Sequence, residues 1–288
     1  MKTIRVGGVP EHFNLPWLLC VEEGDFEYEN IKVEWQDFLG GTGAMATALR
    51  NGELDVAIIL TEGIVKDILD GNPSKIVQTY IDSPLIWGIH VAQNSKFNKL
   101  EDLQHTKAAI SRMGSGSHLM TYLNAKKLGW DLSKLQFEIV RNLDGAIEAL
   151  TEDKAQYFMW EHFTTKPLVD AGIFRSLGTC PTPWPCFVIA IRNEFLENYE
   201  HEIEKMLGVI NVKTTSFKEI PKIEKILAQR YGQKPEDIRE WIKVTSWSQF
   251  QIKEEDLEEV QDSLLELKLI SKKIPSSKLI HNLEEETD

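Results

Sequence analysis

Residues 38–59 read FLGGTGAMATALRNGELDVAII. Gly40, Gly41, Thr42 and Gly43 stand ahead of a run with helical periodicity, Asn51-Gly52 stops that run, and an alternating apolar segment follows. A helix entered through glycines leaves its first backbone N–H groups unshielded, and the helix dipole adds partial positive charge there. The stretch therefore predicts a turn, a helix and a strand, with a place for an anion or a carbonyl at the turn.

Working outward, strands and helices alternate. TIRVGGV (3–9), NIKVEWQDF (30–38) and LDVAIIL (54–60) read as strands, and PWLLCVEEG (16–24), GAMATALRNG (43–52) and GIVKDILDG (63–71) as helices. Such alternation predicts a parallel sheet covered by helices, with ligands at the C-terminal strand ends. The loops to search are Pro10–Pro16, Gly40–Gly43 and Thr61-Glu62-Gly63. After SKIVQTYIDSP (74–84) and the long apolar LIWGIHVAQNS (85–95), KAAISRMGSGSHLMTYLNAKKLGW (107–130) repeats the device: strand, Gly/Ser-rich turn, helix. QFEIVRN, LDGAIEALTEDK, AQYFMWE, TKPLVDAGI and FRSLG continue a second βα series over 136–178. Past PCFVIAIRNEFLENY the periodicity is helical, near 195–216, 220–231, 235–243 and 254–270, and the tail LEEETD (283–288) is expected to be unstructured.

A chain of 288 residues with 42% hydrophobic and 27% charged side chains is long enough for a large core and for two lobes. Its formal net charge of -13 opposes binding to phosphate backbones and anionic membranes, so no nucleic-acid partner is expected. No apolar run reaches the roughly 20 residues that cross a bilayer, so no membrane insertion is expected either. The first strand begins almost at Met1 without an apolar leader, and Cys20, Cys180 and Cys186 show no zinc spacing. These features point to a cytoplasmic protein with reduced thiols, no metal, no cofactor and no transporter partner.

ALRNGELDVAII after the first glycine-rich turn, AISRMGSGSHLMTYL in the second series and AIEALTEDKAQYFMWE beyond it resemble the type II periplasmic-binding-protein superfamily. The resemblance is to its branch of sulfonate, taurine and nitrate binders and thiamine-pyrimidine synthases, and to leaderless intracellular members. It implies an α/β, two-lobed fold with a ligand cleft between the lobes and extra C-terminal helices. Residues 1–83 plus 190–288 would form lobe 1 and 84–189 lobe 2, with crossings at SPLIWGIHV and WPCFVIAI. The implied function is a soluble solute-binding protein closing by hinge motion over a small sulfonate, carboxylate, phosphate or pyrimidine-like ligand. A thiamine-pyrimidine-synthase-like enzyme is the alternative. Those synthases carry a clustered set of cysteines, whereas TCPTPWPC (179–186) separates its two by five residues.

Candidate ligand contacts follow the loops. Glu11, His12 and Trp17 lie past the first strand; Trp17 either stacks on a planar ligand or packs the helix start. Gly40, Gly41, Thr42 and Gly43 form the first turn, and Ser111, Gly114, Ser115, Gly116, Ser117 and His118 the second, with Arg112 beside them. Thr61-Glu62 and Trp160-Glu161 close strands of the two series. Their carboxylates suit either hydrogen bonding to ring N–H or amino groups, or general acid–base work. Trp87 and Trp184 complete the set. No nucleophile motif, metal-ligand spacing or nucleotide fingerprint accompanies them, so binding is favoured over catalysis and no catalytic residue is assigned.

Overall fold

The computed structural model describes residues 1–283. The strands are β1 (Lys2–Gly8), β2 (Ile31–Asp37), β3 (Val56–Leu60), β4 (Ser74–Ile81), β5 (Ile86–Ala92), β6 (Lys107–Ile110), β7 (Gln136–Ile139), β8 (Tyr157–Glu161), β9 (Phe174–Pro181) and β10 (Phe187–Arg192). The helices are α1 (Leu15–Glu23), α2 (Asp25–Tyr28), α3 (Gly41–Arg50), α4 (Thr61–Leu69), α5 (Gly116–Lys127), α6 (Leu143–Thr151), α7 (His162–Asp170), α8 (Asn193–Asn198), α9 (Glu200–Ser216), α10 (Ile223–Tyr231), α11 (Pro235–Val244) and α12 (Glu254–Glu266). The segment LEEETD falls, from residue 284 on, outside the described residues.

The chain divides into two compact units: Met1–Ser83 with Trp184–Tyr231 and Arg239 onward, and Pro84–Pro183 with Gly232–Ile238. Each holds one five-stranded sheet, in the orders β2-β1-β3-β10-β4 and β7-β6-β8-β5-β9. The two follow one plan. Three strands run parallel, joined by helices, and the fourth runs antiparallel to the neighbours on both its sides. The continuous apolar run Val188–Ile191 explains that fourth position in the first sheet. A strand enclosed by neighbours and covered on both faces tolerates no polar alternation, and all four residues are fully buried.

The two units differ from the expected lobes at two places. β10 starts at Phe187 and pairs with β3 and β4, so the first unit resumes before residue 190. Gly232–Ile238 joins the second unit rather than the first. Part of the tie is a bond to α7: Pro167 inside it has no N–H to give Phe163 O, and Gln233 Nε2 donates to that oxygen instead at 3.1 Å. Lys234 Nζ also reaches Asp170 at 2.6 Å.

Buried charge in the first unit sits at the β3 entry. Asp55 accepts from the Arg5 amide at 3.0 Å, from Arg5 Nε at 2.9 Å and from Arg192 Nη2 at 3.2 Å. Burial works against its ionised form, yet these donors hold its pKa below the ordinary carboxylate value. The pair ties the first strand of the sheet to the last one laid down.

Candidate functional site

In the first unit, the turns that follow β1, β2 and β3 carry the candidate residues. After β1 the chain enters a short 3-10 turn, His12–Asn14, that runs into α1. His12 is buried, its ring 4.2 Å from Trp241, 4.9 Å from Phe13 and 6.1 Å from Tyr231. Burial lowers its pKa to about 3, so the imidazole is neutral at physiological pH and supplies no positive charge to an anion. Its Nε2 is among the buried atoms without a hydrogen-bond partner. Glu11, one residue earlier, is half-buried. Trp17 is fully buried, with ring centroids 5.9 Å from Phe26, 6.2 Å from Trp35 and 6.4 Å from Tyr80. The structure shows Trp17 packed among these rings, which is one of its two expected roles.

The turn after β2 enters α3. Gly41 has φ +61°, a conformation that a side chain strains, and its N–H closes the turn on Phe38 O at 3.0 Å. Gly40 occupies the N-cap and no side chain caps the helix, so the next first-turn N–H groups, those of Thr42 and Gly43, have no side-chain acceptor. The turn after β3 enters α4 directly through Leu60, again without a side-chain cap. These two helix entries abut: a Cβ built on Gly63 would lie 2.2 Å from Thr42 Cγ2. No larger residue than glycine fits there.

Thr61 and Glu62 also fasten the segment leading into β10. Thr61 Oγ1 donates to Pro185 O, the Thr61 amide to Cys186 O at 3.0 Å, and Trp184 Nε1 to Glu62 Oε2 at 3.0 Å. Trp184 is 1% exposed and belongs to the first unit. Glu62 is buried, and its Oε1 has no hydrogen-bond partner. Burial raises its pKa to about 7, with its own backbone N–H and the Trp184 indole opposing the shift.

In the second unit the turn between β6 and α5 is closed upon itself. Ser115 caps α5 by accepting from the His118 amide at 3.3 Å, Ser117 Oγ accepts from the Ser111 amide at 3.0 Å and pairs with Ser115 Oγ at 3.0 Å. The Gly114 amide donates to His118 Nδ1 at 3.0 Å, and the His118 ring packs 4.7 Å from Phe137 and 5.0 Å from Tyr122. Ser111, Gly114 and Gly116 are half-buried, and Arg112 is exposed. The sequence likens this turn to the first, but their chemistry differs: here side chains take up donors that glycines leave open at α3.

At the end of β8, Trp160 is half-buried and stacks on Phe158 at 5.3 Å, edge-on to Trp87 at 6.4 Å. Glu161 follows as the N-cap of α7, its Oε2 accepting from the Thr164 amide. Burial raises its pKa to about 7 against that bond. Glu62 thus belongs to the first unit and Glu161 to the second, each at the strand end that begins a helix.

Residues that sequence reasoning passed over complete these surroundings. Trp241 and Tyr231 enclose His12 from helices far along the chain, and Asn14 Nδ2 donates to Val9 O at 2.8 Å to shape the first turn. In the second unit His90 Nε2 pairs with Thr165 Oγ1 at 2.7 Å. Only the position of Asn14 in the Pro10–Pro16 loop was a signal in the sequence. Among the described residues no group of three or more His, Cys, Asp or Glu is placed to hold a metal ion, and no helix is long and apolar enough to cross a membrane. Cys20, Cys180 and Cys186 are buried, and no disulfide joins them among the described residues.

Residues 87–180 match the family model of Ca3427-like PBP. A search of curated protein sequences returns no match. Among solved structures, the Candida albicans CA3427 gene product, described as defining a new family with the generic periplasmic binding protein fold, superposes with a TM-score of 0.90. It shares 24% identity, over 100% of this chain and 99% of that one. The periplasmic aliphatic sulphonate binding protein SsuA from Escherichia coli gives 0.77 at 17% identity, covering 100% and 95%. The alkanesulfonate-binding protein SsuA from Xanthomonas axonopodis pv. citri, bound to MOPS, gives 0.83 at 15% identity, covering 98% and 99%. The chain has the periplasmic-binding-protein fold.

Proposed function

We propose that this protein binds a small polar solute, anionic or heteroaromatic, at the strand-end turns of its first unit. One observation carries the reading: the N-terminus of α3 adjoins that of α4 at Thr42 and Gly63, and no side chain caps α3, so the Thr42 and Gly43 amides have no side-chain acceptor. Backbone N–H groups left open at a helix entry are costly unless water or a ligand accepts from them. The glycines keep side chains away so that a solute can approach the backbone. Solved structures of this fold that are named for sulphonate binding support the class of ligand. The enzyme alternative gains nothing from the thiols, since burial pushes the pKa of Cys180 up, away from the reactive thiolate.

The test is a thermal-shift panel of sulfonates, phosphonates, carboxylates and heteroaromatic amines on the wild type and on Gly41→Val. A solute at a hundred times its Kd stabilises the native state by roughly 2.7 kcal/mol. The wild type is expected to respond to at least one class. Gly41→Val, which puts a branched side chain on a φ of +61° at the turn, is expected to lose the response. A panel without a hit on the wild type, or an equal response in the variant, sinks the reading.

A further inference from the structure

We propose that Glu62 makes the first-unit site selective for solutes that present a hydrogen-bond donor, an amine or an amino-substituted ring, rather than for anions as such. This rests on the reading that the α3 and α4 turns bind a solute. Helix N-termini alone would favour any anion. Here, however, the protein itself fills that end of α4: its first amide, that of Thr61, donates to Cys186 O at 3.0 Å, and Glu62, its second residue, sets a buried carboxyl group there. The positive end of α4 is therefore answered from within. An anionic solute brought beside it would meet a carboxyl group whose bonded side-chain neighbour is the uncharged Trp184 indole.

The carboxyl is also held in one orientation. Trp184 Nε1 takes Oε2 at 3.0 Å, and the bonds from Thr61 to Pro185 and Cys186 fix the segment that carries that indole. What remains is Oε1, buried and unpartnered. A buried carboxyl oxygen without a donor costs about 1–3 kcal/mol, more when charged, and an apolar residue in its place would avoid that cost. A donor on the solute removes the penalty on binding. A methyl of the same size leaves it in place, which is how a buried polar group discriminates between near-isosteres.

Two isosteric probe pairs test this by calorimetry: 2-aminoethanesulfonate against 1-propanesulfonate, and 2-aminopyridine against 2-methylpyridine. In the wild type the amino member of at least one pair is expected to bind tenfold or more tightly than its methyl partner. Glu62→Gln, which keeps the shape and an acceptor for Trp184, is expected to cut that preference to threefold or less. Trp184→Phe separates recognition from mere anchoring. It breaks the same Trp184–Glu62 bond but leaves the carboxylate, so the preference is expected to persist; loss of preference in both variants alike would overturn the proposal in favour of a structural role. Equal binding of both members to the wild type, or a preference unchanged in Glu62→Gln, also overturns it, and leaves the solute-binding reading standing. Should Glu62→Gln not fold, the wild-type preference and its persistence in Trp184→Phe decide. If no member of either pair binds and the wider panel is also silent, the solute-binding reading fails and this proposal with it; hits in that panel confined to donor-free anions overturn this proposal alone.

Discussion

Gly63 carries more constraint than its neighbours Thr61 and Glu62, although it makes no hydrogen bond through a side chain. Its Cα hydrogen faces Thr42 so closely that an added Cβ would stand 2.2 Å from Cγ2 and 3.4 Å from Cβ of that threonine. Threonine is stiff at χ1, so the methyl cannot simply rotate away. Gly63→Ala is therefore expected to destabilise the native state by about 1–3 kcal/mol through overpacking. Thr42→Ser in the same chain removes the obstructing methyl and should restore most of the loss. Urea midpoints of the two variants check this; a Gly63→Ala midpoint equal to wild type would mean that the two helix entries are not held together. The glycine-rich stretch 40–43 was legible as a helix entry because glycine is a local signal. Its counterpart at 63 was not, since what excludes a side chain there is a residue 21 positions earlier.

Helix α7 shows how one element can depend on a distant one. Pro167 leaves Phe163 O without its helical donor, and Gln233 supplies it from outside the helix. Gln233→Leu is expected to cost about 1–3 kcal/mol by orphaning that carbonyl. A Pro167→Ala background restores a backbone N–H that can bond Phe163 O, so there the same substitution should cost little, giving a coupling of about 1 kcal/mol or more in a double-mutant cycle. Additive effects would show that Gln233 does not substitute for the missing donor. The βα pattern, including both glycine-rich turns and the apolar β5 and β10, was readable because periodicity and Gly stops are local. The return of Gly232–Ile238 to the second unit was not, because the side chains that tie it there, Gln233 to Phe163 O and Lys234 to Asp170, find partners some 64–70 positions earlier. The two turns likewise look alike in sequence, and differ in what takes their donors: Ser115, Ser117 and His118 close theirs, whereas no side chain closes the one at α3. Trp17 was ambiguous for a related reason, since its three ring neighbours come from α2, β2 and β4.

At the scale of the whole molecule, four buried titratable groups pull stability in opposite directions as pH changes. Burial lowers the pKa of His12 to about 3 and of His90 to about 4, the latter helped by His162, and raises Glu62 and Glu161 to about 7. A histidine with a depressed folded pKa binds its proton more readily when unfolded. Its contribution is complete above the unfolded value near 6.5 and is lost as pH falls toward the folded one. A carboxyl with a raised folded pKa behaves oppositely: its contribution is complete below the unfolded value near 4.3 and is lost as pH rises toward 7. Between about pH 4.3 and 6.5 the two pairs therefore oppose each other, and below that window only the histidines act, steepening acid unfolding. His12→Phe preserves a ring among Phe13, Tyr231 and Trp241 while removing the titration, so its urea midpoint should fall less than that of the wild type between pH 6.5 and 4. Glu161→Gln removes a term of the other sign, so its midpoint should climb more steeply with pH across the same window. If both variants changed the slope in the same direction, burial would not be what sets these protonation states.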